Sequence, residues 1–263
     1  MLKFTSLYSG SSGNCLFVET ENTKILIDAG VSLKKIEKGL ENFDVQPSNL
    51  DAVIVTHEHT DHIQSLGNLS KKFDIPVFAT SKTFDAMPKQ TEKITDKNKN
   101  NINIDEKFSI GDIEILPFKI PHDAADPCGF TLFSNNKKIS IATDVGHMTN
   151  DILKHIDGSE FILLEANYDS NVLKYTKYPF KLKERIAGPS GHLSNKAAGQ
   201  TINYLINSGL KKAVLGHLSK ESNFPELAYQ TVVNEILSSG TNIDNFNLSV
   251  ASRDFPGKLI TIN

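Results

Sequence analysis

The sequence predicts an α/β (α+β) fold, with sheets covered by helices rather than an all-β or all-α core. Three observations carry that expectation. Short runs rich in β-branched residues, such as "TKILIDAG", "LDAVIVT", "KKISIAT" and "EFILLEA", occur in both halves of the chain. Segments with apolar residues every three to four positions lie between them, as amphipathic helices require. No repeat, Gly/Ser linker or abrupt change of composition interrupts the 263 residues, so 1–263 reads as one domain.

The elements follow in order. "KFTSLYS" and "NCLFVET" flank the turn "GSSGN", and "TKILIDAG" comes after "EN", so three short adjacent strands open the chain. Leu33, Ile36, Leu40 and Phe43 fall at helical spacing. The strand "LDAVIVT" runs into "HEHTDH", and a helix is expected from about Asp61, with Ile63, Leu66 and Leu69 on one face. Residues 81–107 are rich in Lys, Asn and Asp and read as surface structure. "IEILPFKI", "KKISIAT", "EFILLEA" and "KAVLGH" are further strands. Helical patterns occupy 150–156, 194–208 (Ser194 as N-cap, Gly209 just past the end) and 225–237 (Pro225 near the first turn).

Bulk properties narrow the function classes. A hydrophobic fraction of 39% and a charged fraction of 22% suit a soluble protein. No apolar run approaches the roughly 18 residues that span a bilayer, so no membrane partner is expected. The N-terminus lacks the apolar core of a secretion signal, and Cys15 and Cys128 are too few for a disulfide framework, so a cytoplasmic location is expected. A formal charge of -3 excludes a generic nucleic-acid binder. Any polyanion would have to be held by a local basic strip or by a metal.

The apolar strands share an unusual ending. "IEILPFKIPH" closes on His122, "KKISIATD" on Asp144, "FILLEAN" on Asn167 and "KAVLGH" on His217, while "AVIVTHEHTDH" closes on a cluster. In α/β architectures ligands gather at the carboxyl ends of strands, where a sheet holds side chains rigidly yet within reach. His57, His59, Asp61, His62, His122, Asp144 and His217 supply five imidazoles and two carboxylates. That mixture suits Zn²⁺, Mn²⁺ or Fe rather than the all-oxygen preference of Ca²⁺ or Mg²⁺. Seven ligands exceed one tetrahedral ion but serve two ions sharing a carboxylate. Such a pair, about 3.5–4 Å apart, can generate hydroxide at neutral pH and clamp both attacking and leaving oxygens.

"THEHTDH" has the form His-x-His-x-Asp-His, and with His122, Asp144 and His217 the chain resembles the metallo-β-lactamase superfamily over essentially its whole length. The resemblance implies an αβ/βα four-layer sandwich with a dinuclear site at one edge of paired sheets. It also implies that His57, His59 and His122 hold one metal, that Asp61, His62 and His217 hold the other, and that Asp144 bridges. "YSGSSGNC", "PHDAADPCGF", "EANYD" and "YPFKLKERIAGPSGHLSN" are similar to the YycJ/WalJ/VicX group, related to the phosphodiesterase and RNase Z branch. The group's pattern would have histidine where this chain has Tyr168, so Tyr168 receives no ligand role. The activity implied is a 5′→3′ exonuclease on double-stranded DNA, with DNA as the partner and a metal-bridging hydroxide oriented by Asp61 and Asp144.

Outside the ligand set, His192 in "GPSGHLSN" is a candidate phosphate contact or general acid, the plain alternative being a bond to a local carbonyl. Asn167 could donate to a phosphate or serve a turn. Ser11, Ser12 and Asn14 could present donors at the site's mouth or merely form a hairpin turn. His147 is expected to orient a ligand, and His155 to be exposed. In "KYTKYPFKLKER", Lys174, Lys177, Lys181, Lys183 and Arg185 face one acid, Glu184, with Tyr175, Tyr178 and Phe180 interleaved. Such a strip can neutralise phosphates and stack bases, or be a solvated surface with its rings in the core. Two other functions compete with the exonuclease. One is hydrolysis of a small ester, thioester, lactone or cyclic phosphodiester on the same fold, and the other is a non-catalytic regulatory accessory role.

Overall fold

Strand and helix boundaries follow the burial pattern that the sequence encodes. The structure, a computed structural model, describes residues 1–262. Contacts group the chain into two compact units: Met1–Lys119 with Ala124–Lys137 and the segment from Ser252 form the first, and Ile120–Asp123 with Lys138–Ala251 the second.

The first unit contains β1 (Leu2–Tyr8), β2 (Cys15–Glu19), β3 (Lys24–Ile27), α1 (Leu33–Glu41), β4 (Ala52–Ile54), α2 (Thr60–Ile63), α3 (Leu66–Phe73), β5 (Val77–Thr80), α4 (Ser81–Ala86), β6 (Lys99–Ile102), β7 (Phe108–Ile110), β8 (Ile113–Lys119) and β9 (Cys128–Ser134). The second contains β10 (Lys137–Ala142), α5 (Asn150–Ile156), β11 (Phe161–Glu165), α6 (Ser170–Tyr175), α7 (Phe180–Ala187), α8 (Asn195–Asn207), β12 (Lys212–Gly216), α9 (Pro225–Ser238) and β13 (Asn247–Val250), before β14 (Ile260–Ile262) returns to the first.

In the first unit a mixed sheet runs β14-β1-β2-β3-β4-β5-β6. It is antiparallel up to β3 and parallel from β3 to β6. Phe17, Leu26 and Val53 on its face pack with Ile36 and Leu40 of α1 and Leu69 of α3. β7, β8 and β9 form an antiparallel run. In the second unit β10, β11, β12 and β13 are all parallel. Parallel strands buried on both faces read as continuous apolar runs, which is why "ISIA" and "FILL" stand out. Strands and helices thus interleave in both units, as the α/β reading requires.

The helix signals hold to within a residue or two. α5 spans the expected 150–156, Ser194 caps α8 by accepting from the Ala197 N–H, Gly209 past its end has φ +100°, and Pro225 opens α9. The helix expected from Asp61 is split. Ala29 N–H donates to the His62 carbonyl (2.7 Å) and Ser65 N–H to the Ala29 carbonyl (2.9 Å), so the loop after β3 takes the bonds that would join α2 to α3. The surface segment 81–107 hides an edge strand, β6, in which Lys99 and Asn101 are exposed and Ile102 is buried. A polar edge strand protects a sheet from pairing with other chains and gives almost no strand signal. Among the described residues no helix is long and apolar enough to cross a membrane.

Candidate metal centre

In the first unit β4 stops at Ile54 and the chain runs through Val55 and Thr56 into the histidine loop. His57 and His62 are fully buried, while His59 and Asp61 are half-buried. His57 Nε2 lies 3.0 Å from His59 Nδ1, and His62 Nε2 lies 3.7 Å from Asp61 Oδ2. The chain's own hydrogen bonds fix the proton on two of these rings. Asp28, buried at the end of β3 with φ +63°, accepts from His62 Nδ1 (2.7 Å) and Thr56 Oγ1 (2.9 Å) through one oxygen and from Thr56 N–H (2.9 Å) through the other. Because the Thr56 hydroxyl gives its only hydrogen to Asp28, it can only accept from His57 Nδ1, 3.0 Å away. Both rings therefore carry their proton on Nδ1 and their lone pair on Nε2.

Backbone bonds lock this loop. Asn14 N–H donates to the Asp61 carbonyl (2.8 Å), and the Asn14 side chain folds back on Gly10 while its amide lies 3.2 Å from His62 Nε2. Gly30 passes so close beneath that a Cβ there would sit 1.7 Å from the Asp61 carbonyl oxygen, so only glycine fits.

The second unit gathers His122, Asp144, His192 and His217 around a residue that sequence reasoning missed, Glu165. This fully buried carboxylate ends β11. Its Oε1 accepts from His217 Nδ1 (2.7 Å) and His192 Nδ1 (2.9 Å), and its Oε2 from the N–H groups of Val145 (2.8 Å) and Leu193 (2.9 Å). Burial would raise its pKa, but the two imidazoles and the bonds they donate hold the carboxyl below its ordinary range. One ligand atom from each of Asp144, Glu165, His192 and His217 lies within 4.8 Å of the others. Asp144 Oδ1 is 3.7 Å from His122 Nε2, and His122 Nδ1 donates to the Gly191 carbonyl (3.0 Å). Burial lowers the His122 pKa against the pull of Asp144, which favours the neutral ring that a metal needs. Asp144 (φ +59°) and His217 (φ +54°) both take the left-handed conformation, a strain of about 1 kcal/mol or more each that clusters at functional sites.

The other sequence candidates fall as follows. The Asn167 amide donates to the His217 carbonyl (2.8 Å) and so braces that turn. Ser11 and Ser12 are exposed, with Arg253 Nη1 3.4 Å from Ser12 Oγ. Lys177 and Lys181 are exposed, whereas Lys183 Nζ donates to the carbonyls of Lys174 and Thr176, both at 2.7 Å. Two expectations need correction. His147 is exposed and its Nδ1 donates to the Pro189 carbonyl (2.8 Å), so it braces a loop instead of a ligand, and His155 is half-buried rather than exposed. Tyr168 is buried against Leu173 and Ile186. Asp28 and Glu165 did leave a trace in the sequence: each is an acid directly following an apolar strand core, in "ILID" and "FILLE".

The donor set fits divalent metal. His62, His122 and His217 each have Nδ1 bonded to a carboxylate or carbonyl, the outer partnership that fixes a ligating histidine's tautomer. Two ligands at 2.0–2.1 Å from a tetrahedral ion lie about 3.4 Å apart, and the His57 Nε2–His59 Nδ1 separation of 3.0 Å is within easy reach of that.

Residues 23–218 match the beta-lactamase superfamily domain. The chain is 36% identical over 246 residues to the exodeoxyribonuclease WalJ of Streptococcus pneumoniae (strain D39), covering 92% of this chain and 91% of that protein. It is 34% identical over 259 residues to the exodeoxyribonuclease YycJ of Bacillus anthracis, covering 98% of each. Among solved structures, the metallo-beta-lactamase fold protein YhfI of Bacillus subtilis superposes with a TM-score of 0.71 at 16% identity, over 98% of this chain and 100% of that one. The fold is the metallo-β-lactamase αβ/βα sandwich.

Proposed function

The chain belongs to the beta-lactamase superfamily, in the group of the WalJ and YycJ exodeoxyribonucleases, and from that premise we propose that it degrades double-stranded DNA 5′→3′ with two divalent ions. It is a hydrolytic nuclease of the metallo-β-lactamase fold that works with divalent metal. In the proposed arrangement His57, His59 and His122 hold one ion, Asp61, His62 and His217 hold the other, and Asp144 serves both. Zn²⁺ and Mn²⁺ suit these ligands, and Fe is compatible.

When bound, such ions polarise the phosphodiester and lower the pKa of water to near neutrality. The chain's own groups do the rest. Asp28, Thr56, the Gly191 carbonyl and Glu165 keep the Nε2 lone pairs of His62, His57, His122 and His217 ready before metal arrives. Asp61 and Asp144 are the carboxylates proposed to orient the attacking oxygen. His192, held by the Nδ1–H it donates to Glu165, is the group proposed to meet the phosphate or the departing 3′ oxygen. Ser11, Ser12, Lys177 and Lys181 would meet the phosphates.

The observation that carries this reading is the pinning of four candidate ligand histidines, His57, His62, His122 and His217, through Nδ1, which a solvated surface cluster does not need. Linear duplex DNA and closed circular plasmid, incubated with Mn²⁺, test it. Linear DNA should be degraded while the circle stays closed, and EDTA or Asp61→Asn should abolish the degradation. Cleavage of the circle at the same rate, or activity undiminished by EDTA, would overturn it.

A further inference from the structure

The strip 174–185 divides in the structure into residues that serve the fold and residues turned to solvent. Tyr178 packs with Leu182 against Tyr168, Leu173 and Ile186. Lys183 is committed to two backbone carbonyls, and Arg185 grips both oxygens of Asp123. What remains is compact: Tyr175 is 80% exposed and Phe180 73% exposed, at the end of α6 and the start of α7. Lys174, Lys177 and Lys181 alternate with them and are exposed, with Lys174 Nζ 5.6 Å from the centre of the Tyr175 ring. Lys183 bridges across the turn and so ties the two rings' helices together. A recess beside Tyr175 is lined by Asn171, Val172, Thr176 and Glu221.

Resting on the nuclease reading above, we propose that this surface is a platform for an unpaired DNA strand, with Tyr175 and Phe180 stacking on bases and Lys174, Lys177 and Lys181 neutralising phosphates. Charge and geometry select that occupant. Two exposed rings spaced by cations do not resemble the charge-depleted core of a protein interface. They match a polyanion whose bases expose their faces. Interior bases of a duplex stack on one another and hide those faces, so two successive rings suit a strand that has left the helix. The far end of α7 leads to the catalytic loop: the Ile186 carbonyl accepts from His192 N–H (2.9 Å), and Ser190 and Gly191 brace Asp123 and His122. A strand laid on α7 is thereby held on the helix whose last turn braces the loop that carries His192.

Fluorescence anisotropy in EDTA, with a labelled single-stranded oligonucleotide and a blunt hairpin duplex, reads binding apart from cleavage. The wild-type protein should bind the single strand at least about tenfold more tightly. Tyr175→Ala/Phe180→Ala should lose at least about tenfold of that affinity, and Tyr175→Trp/Phe180→Trp should recover it. Equal binding of duplex and single strand by the wild type, or unchanged binding by the double alanine variant, overturns the platform. Hydrolysis of bis(p-nitrophenyl) phosphate by the wild type with Mn²⁺ reports on the nuclease reading separately. Binding through the two rings without any hydrolysis would support the platform and sink the nuclease.

Discussion

Replacing Asp28 with asparagine changes one atom in a buried hydrogen-bond cluster and tests how the histidine loop is prepared for metal. The left-handed φ of +63° is as acceptable to Asn as to Asp, so the backbone is not disturbed. The carboxylate accepts three bonds, from Thr56 N–H, Thr56 Oγ1 and His62 Nδ1. An amide has one accepting oxygen, so either orientation sets an N–H against another donor. With its nitrogen towards His62, the ring must move its proton to Nε2 and lose the ligating lone pair. With its nitrogen towards Thr56, a buried backbone N–H loses its acceptor at a cost of about 1–3 kcal/mol. Loss of such an outer partner weakens metal binding about 10- to 100-fold, equivalent to about 1.4–2.8 kcal/mol. Competition with a chelating dye measures the affinity, and urea denaturation of the metal-free protein measures the stability. Metal affinity within twofold of wild type, with an unchanged urea midpoint, would refute the reasoning.

Glu165→Gln should flatten the acid limb of stability. The carboxyl's folded pKa lies below its ordinary range, so its contribution is full above about pH 4.3 and is lost as pH falls through the lowered folded value. Melting curves between pH 3 and 7, an interval of roughly that carboxylate range, should converge for variant and wild type at the acid end, and parallel curves would contradict this. Gly30→Ala drives a Cβ into the Asp61 carbonyl at 1.7 Å. It should cost about 1–3 kcal/mol or more and displace the Asp61 loop, read as weakened metal uptake, and wild-type uptake would contradict it. Cys15 and Cys128 are fully buried and burial raises both thiol pKa values, so neither should react with a thiol reagent until the protein unfolds. Labelling of either under native conditions would contradict that burial.

The candidate ligands stood out because metal chemistry restricts residue type and spacing, and because parallel apolar strands advertise themselves and the loops at their ends. Asp28 and Glu165 were harder to see. Nothing in "LIDAG" or "LLEAN" distinguishes an acid that pins a histidine from one that turns to solvent, since only the fold brings Asp28 to His62 or Glu165 to His192 and His217. β6 escaped notice because "KNNI" is polar on its outward positions, as an edge strand should be. For the strip 174–185 the sequence left open a nucleic-acid surface or rings in the core, and the structure divides it: Tyr178 and Lys183 serve packing and backbone bonds while Tyr175 and Phe180 stand in solvent. Short helices such as α6 and α7, at six and eight residues, give too few turns for periodicity to sort their faces.

The proposed removal of nucleotides from the 5′ ends of duplex DNA with divalent metal has a polarity that end-labelling reads. Linear duplex labelled at either the 5′ or the 3′ end, incubated with Mn²⁺ or Zn²⁺, tests it directly. Labelled mononucleotide should appear at once from the 5′ end and late from the 3′ end, and disappear in EDTA or with His57→Ala. Intact DNA from a metal-loaded protein, or early release from the 3′ label, would contradict the account.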